Sequence, residues 1–127
     1  MRRGAILWQC MFIASTFLLI EPSMARGESS GSAVFKQRCA TCHAIEHGVN
    51  SAMGPSLAGV VGRESGSLSG FAYSTAMKNS GVVWGVAELE LFIQNPQKFF
   101  KGTRMYAPGI SDPGVRADLI TYLGSLE

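Results

Sequence analysis

The amino-acid sequence predicts an all-α domain of short helices joined by long loops, and three observations carry that prediction. Helical patterns with capping signals open and close the region after residue 25. Between them glycines recur so closely that no strand alternation survives. Near the start stands Cys39-Ala40-Thr41-Cys42-His43, two cysteines three apart followed at once by histidine, which is the spacing of a c-type haem attachment site. On a helix, positions i and i+3 share a face, so both thiols can reach one flat ligand. Each thiol can add to a haem vinyl group, and His43 then projects its imidazole toward the iron.

Residues 1–25 read as a secretory signal, and residues 26–127 as the domain. Met1-Arg2-Arg3 is a basic start, Ala5 to Ile20 is largely apolar, and Ser23-Met24-Ala25 supplies small residues before a cleavage point after Ala25. An uncleaved membrane anchor is the alternative, but the apolar run falls short of the ~20 residues a bilayer span needs. Cleavage removes Cys10 and leaves Cys39 and Cys42 in a chain bound for the periplasm, an oxidising compartment. Without Arg2, Arg3 and Glu21, the eleven basic and nine acidic residues of the chain fall to nine and eight, a net charge of about +1. That balance excludes a nucleic-acid binder.

Roughly a hundred remaining residues make a small core, of marginal stability from apolar burial alone. A covalently held apolar macrocycle fills that gap. Arg26 to Ser30 reads as a lead-in, and Gly31 to Arg38 as a helix capped by Ser32, with Val34, Phe35 and Cys39 on or near one face. After His43 come turn signals at His47-Gly48-Val49-Asn50 and Met53-Gly54-Pro55, then Gly59, Gly62, Gly66 and Gly70. Such a segment can wrap a flat group at close backbone approach. Ser74 to Ser80 reads as a helix stopped by Gly81. Val86 to Gln94 follows, with Leu89, Phe92 and Ile93 at helical spacing, and Pro96 ends it at Asn95. Lys98 to Ile110 is a loop. The last helix begins at Asp112-Pro113, a cap followed by proline at the first helical position, and its apolar face is Val115, Leu119, Tyr122 and Leu123. Loops this long imply a bound group.

Other uses of the cysteine pair fit less well. A disulfide oxidoreductase needs a βαβ setting, which is lacking. A zinc site needs a second cysteine pair or more histidines, and the only other histidine is His47. If haem is bound by His43, the identity of the sixth ligand decides between electron transfer and an open, reactive face. His47 and Met53 are tethered close to His43, and Met77 sits in a short helix where packing is the ordinary role. Met105 lies far along the chain in a glycine-bounded loop and is the best-placed candidate.

These residues carry a family likeness. Gly31, Phe35, the Cys39–His43 motif, Gly54-Pro55-Ser56-Leu57, Gly62-Arg63, Gly70-Phe71-Ala72-Tyr73, Trp84, Asn95-Pro96, Gly102-Thr103-Arg104-Met105 and Leu119-Ile120-Thr121-Tyr122-Leu123 occur in the order found in class I cytochrome c. The chain resembles that family over nearly all of residues 26–127, most closely its mitochondrial cytochrome c and bacterial cytochrome c2 members. The resemblance implies one haem c, attached through two thioethers at Cys39 and Cys42, with His43 and Met105 as axial iron ligands. It implies a class I cytochrome c fold in which the first and last helices cross, Gly31 and Phe35 meeting Leu119 and Tyr122, while long loops wrap the haem. Pro55 then accepts the His43 ring proton, and Arg63, Tyr73, Trp84 and Thr103 belong to the haem environment. The chain departs from the family pattern in three places. Lys101 stands where proline usually precedes the Gly-Thr of the methionine loop, which implies a looser loop and makes Lys101 a conceivable ligand at high pH. Phe92 stands where tyrosine is frequent near the methionine sulfur, and Met77 where asparagine is frequent near a buried water, which implies a drier methionine side.

The function so implied is a monomeric carrier of single electrons between redox proteins of a bacterial respiratory or photosynthetic chain. Its partners would be a membrane oxidase, a bc1-type complex, a reaction centre or a dehydrogenase, with membrane contact only if the N-terminus is retained. Arg38, Lys98, Lys101 and Arg104 flank the expected haem edge and can steer acidic partners. The alternatives are a haem enzyme or sensor with a labile sixth ligand, acting on peroxide or binding gas, and a dedicated electron-accepting subunit of one dehydrogenase.

Overall fold

A computed structural model of the chain describes residues 30–126; the expected signal segment, residues 1–25, lies outside the described residues. Five helices form within them: α1 Ser30–Arg38, α2 Thr75–Lys78, α3 Val86–Gln94, α4 Pro96–Phe99 and α5 Pro113–Gly124. The all-α prediction holds. None of these helices is long and apolar enough to cross a membrane.

Cap chemistry sets most of the boundaries. Asp112 accepts the Val115 N–H at 3.0 Å and Pro113 opens α5, as the sequence implies. Glu88 in the first turn of α3 accepts the Gly85 N–H at 3.1 Å. Asn95 ends α3 and also starts α4, because its side chain accepts the Lys98 N–H at 3.0 Å. The extra turn Pro96–Phe99 replaces the start of the expected loop, and Asn95-Pro96 is the same cap-and-proline signal as Asp112-Pro113. Two expectations need correcting. α1 starts at Ser30, so Ser32 lies inside the helix and does not cap it. α2 is shorter than residues 74–80, since Ser74 is its cap and the Ser80 hydroxyl bonds back to the Met77 carbonyl at 2.9 Å, turning the chain out.

α1 and α5 pack against each other at a crossing that only glycine permits. A Cβ on Gly31 would sit 2.6 Å from the Tyr122 Cβ and 2.9 Å from the Asp118 carbonyl carbon. Below that contact Phe35 meets the Tyr122 ring at a centroid distance of 5.8 Å, and Leu119 is 1% exposed. The buried face of α5 is Arg116, Leu119, Ile120 and Leu123, a run of i, i+3, i+4 and i+7. Val115 and Tyr122 flank it, only partly buried. Arg116 is charged yet 5% exposed, and its neighbours explain how. It donates from Nε to Glu90 on α3 at 2.7 Å and from Nη1 to the carbonyls of Ile110 and Ser111 at 2.7 and 2.9 Å. A buried charge needs such partners.

The glycine-rich middle is loop, with one local exception. Gly62 N–H bonds to the Trp84 carbonyl at 2.8 Å, Trp84 N–H to Arg63 at 2.9 Å and Ser65 N–H to Val82 at 2.7 Å, around an isolated antiparallel bridge of Glu64 and Val83. This short pairing sets Trp84, 5% exposed, among Phe92, Phe99 and Phe100 at centroid distances of 5.0 to 6.1 Å.

Candidate functional site

The attachment motif continues α1 for one more turn. Cys39 N–H bonds to the Phe35 carbonyl at 2.8 Å, and Cys42 and His43 N–H both bond to the Cys39 carbonyl at 3.0 Å. The turn carries both thiols and the imidazole to the wall of one cavity. Burial pushes the Cys39 thiol up to about 11, against the opposing pull of Arg38. A thiol so protonated does not suit a zinc ligand or a redox-active cysteine pair at neutral pH. No group of three or more His, Cys, Asp or Glu among the described residues is placed to hold a metal ion by itself.

His43 is held from behind. Its Nδ1 lies 2.8 Å from the Pro55 carbonyl oxygen, an acceptor, so Nδ1 carries the proton and Nε2 keeps its lone pair. Burial lowers the His43 pKa, with the Pro55 bond partly opposing, so the ring is neutral at neutral pH. The chain passes so close that a Cβ on Gly54 would fall 2.7 Å from Nδ1, Cε1 and the Cys42 carbonyl oxygen. Ser51 organises this turn: its hydroxyl donates to the Cys42 carbonyl and accepts the N–H groups of Met53 and Gly54 at 3.1 and 3.0 Å. Asn50 ties the turn to the next loop, bonding Ser56 N–H at 3.0 Å and the Ser69 carbonyl at 2.9 Å.

The cavity has a volume of about 350 Å³ and is lined mainly by apolar side chains, Leu57, Val60, Leu89, Phe92, Ile110 and Leu119 among them; size and lining suit a cofactor. Cys39, Cys42, His43, Pro55, Arg63, Tyr73, Trp84 and Met105 all line it. Thr103 does not, but it is bonded to two residues that do: 1% exposed, it accepts the Met105 N–H at 3.2 Å and donates to the Met77 sulfur at 3.8 Å. Arg63 spends two nitrogens on its own loop, donating to the carbonyls of Ala58 and Ser56 at 2.9 Å each. Burial lowers its pKa, and burial raises that of Tyr73 nearby. Of the four cations expected at the rim, Arg38 and Arg104 line the cavity, Arg104 bonding to the Ala72 carbonyl. Lys98 and Lys101 are exposed and outside the lining, as is His47. Met53 is 69% exposed at the wall, and Met77 lines the interior.

Gln97 is a residue that sequence reasoning missed. Its amide donates to the Thr103 and Met105 carbonyls at 3.3 and 3.0 Å, and its place on α4 became visible only with that extra turn. Asn50 belongs to a turn signal that does not reveal its contacts, and Ser51 lies between the two turn signals with no sequence mark of its role. The residues present fit a haem: two thiols on one helical turn, a neutral imidazole with a free Nε2, a methionine on the same cavity and an apolar wall.

The family model of cytochrome c matches residues 29–127. The chain belongs to the cytochrome c family. It is 46% identical over 94 residues to cytochrome c of Sesamum indicum, covering 74% of this chain and 85% of that one. Cytochrome c type-1 of Ascaris suum is 45% identical over 103 residues, covering 80% and 91%. Among solved structures, cytochrome cH from Methylobacterium extorquens superposes with a TM-score of 0.70 at 40% identity, covering 76% of this chain and 95% of that one. The fold is that of class I cytochrome c, whose members are electron carriers with covalently bound haem c and act with redox partners.

Proposed function

We propose that this cytochrome is a monomeric carrier shuttling single electrons between redox proteins of a bacterial respiratory or photosynthetic chain in the periplasm, after loss of residues 1–25. Cys39 and Cys42 would hold one haem c through thioethers, and His43 and Met105 would ligate its iron. The observation that carries this reading is the single cavity on which Cys39, Cys42, His43 and Met105 meet. The haem, when bound, supplies one-electron Fe(II)/Fe(III) chemistry, with a neutral thioether favouring the ferrous state.

The protein's own groups bind, orient and exclude water. Pro55 fixes the His43 tautomer through Nδ1. Leu57, Val60, Phe92 and Leu119 keep the interior apolar, so a change in iron charge is felt strongly there. Thr103 and Gln97 hold the Met105 segment. Arg38 and Arg104 give the rim a positive character that speeds encounter with acidic partners at low salt.

The test is the ferric spectrum with the mass of the exported protein. A weak near-infrared methionine–iron band at neutral pH, lost in Met105→Ala, is expected, with one haem added and residues 1–25 absent. A high-spin ferric spectrum in the unaltered protein overturns the carrier reading in favour of a haem enzyme or gas sensor.

A further inference from the structure

We propose that Gln97 is a positioning residue for Met105, doing with two side-chain hydrogen bonds what a rigid residue at position 101 would do with backbone. The proposal rests on the reading of Met105 as an iron ligand.

The segment 101–109 is anchored firmly at its ends. At one end, Phe100 N–H bonds to the Pro96 carbonyl at 3.0 Å and Thr103 N–H to the Phe100 carbonyl at 3.1 Å. At the other, Ile110 N–H bonds to the Ile93 carbonyl at 3.0 Å. Between them Lys101 and Gly102 are exposed, and neither restricts φ as proline does. Gln97 reaches across this stretch from α4. Its Nε2 lies 3.3 Å from the Thr103 carbonyl oxygen and 3.0 Å from that of Met105.

Both partners accept and neither donates, so only the NH₂ end of the amide can face them. The orientation of Gln97 is therefore set by chemistry. Its backbone is set too, because Asn95 caps α4 and Pro96 opens it. A chain of fixed groups thus runs from the end of α3 through Gln97 to the Met105 carbonyl, two bonds from the Cα that carries the thioether. Thr103 Oγ1 grips the same residue through its N–H at 3.2 Å. Met105 is held at both peptide groups, and Gln97 is the exposed, replaceable half of the grip.

The experiment uses the haem-loaded ferric protein with wild type, Gln97→Ala, Gln97→Glu and Met105→Ala. Three readouts are taken: the near-infrared methionine band, the affinity for added imidazole, which must displace methionine, and the guanidinium unfolding midpoint. Gln97→Ala should bind imidazole about threefold to tenfold more tightly, the factor one net neutral hydrogen bond is worth. Gln97→Glu keeps the shape but presents an oxygen to two carbonyl oxygens, so its effect should be at least as large. Imidazole affinity equal to wild type in either variant overturns the proposal, whatever happens to the unfolding midpoint, since a purely structural contact would move the midpoint alone. If Met105→Ala keeps the near-infrared band, the ligand reading itself fails, which is a separate outcome.

Discussion

Replacing Gly31 by alanine should loosen the α1–α5 crossing and leave the haem site alone. A Cβ there meets the Tyr122 Cβ at 2.6 Å, the Asp118 carbonyl carbon at 2.9 Å and the Asp118 oxygen closer still. The obstacle is helix backbone, which cannot rotate away as a side chain can. The helices must separate by about 1 Å to reach ordinary contact, and close-packed interiors do not give freely. Overpacking of this kind costs ~3 kcal/mol at the upper end, while alanine returns ~1 kcal/mol of helix propensity, for a net loss of about 2 kcal/mol. Against a total stability of about 5–15 kcal/mol that is a large fraction. Guanidinium unfolding of the haem-loaded protein should show a midpoint lower by about 0.5 M, with an unchanged near-infrared band. Gly124→Ala is the control, because a Cβ there finds only Val61 Cγ2 at 3.9 Å, and it should be neutral or mildly stabilising. Gly31→Ala as stable as wild type would refute the account of the crossing.

Two further expectations concern charge. Arg116→Ala leaves Glu90 and the Ile110 and Ser111 carbonyls without their donor. With Glu90 one-third exposed, water recovers part of the loss, and denaturant unfolding should show a cost of about 2–3 kcal/mol, with Arg116→Lys recovering less than half of it. Burial raises the Tyr73 pKa above its ordinary value of 10.0, so the folded state holds that proton more tightly than the unfolded chain. Stability from this group is present below pH 10 and lost as pH rises through the folded pKa. Tyr73→Phe should flatten the fall in unfolding midpoint of the ferrous protein on the alkaline side.

Local chemistry made much of this molecule legible in sequence. Caps and prolines at Asp112-Pro113 and the spacing of Leu89, Phe92 and Ile93 located α3 and the start of α5, because those signals act within one turn. The Cys39–His43 run gave the imidazole, while Pro55 as its partner, twelve residues on, came from the family resemblance rather than from local chemistry. Contacts that depend on tertiary placement were not legible. No motif or spacing pairs Arg116 with Glu90, which the fold of α3 against α5 brings to it. No sequence signal singles out Gln97, whose amide meets the Met105 carbonyl only because α4 places it there. The pairing around Glu64 and Val83 joins segments without strand periodicity, so no pattern announces it. Ser32 failed as a cap because serine is common at helix starts and position alone does not choose between neighbouring serines.

Met77 lines the cavity, and its sulfur takes the Thr103 hydroxyl at 3.8 Å; Phe92 on α3, which lines the same cavity, is buried in the aromatic cluster and offers no donor. Thr103 is thus a polar group already committed, to sulfur on one hand and to Met105 N–H on the other. A dry interior penalises the more highly charged ferric iron, as burial penalises any charge. Met77→Asn places an amide dipole where that thioether stands and gives Thr103 a stronger acceptor. The ferric state should gain ~1 kcal/mol relative to the ferrous, which lowers the midpoint potential by about 40 mV in a one-electron couple. Met77→Leu separates polarity from the loss of sulfur, because it stays apolar while freeing the Thr103 hydroxyl, and its potential should lie near that of wild type. Equilibrium redox titration of the three proteins decides the matter. A potential in Met77→Asn equal to or above wild type would mean that the polarity of this wall does not set the redox balance, and that the hold on Met105 alone does.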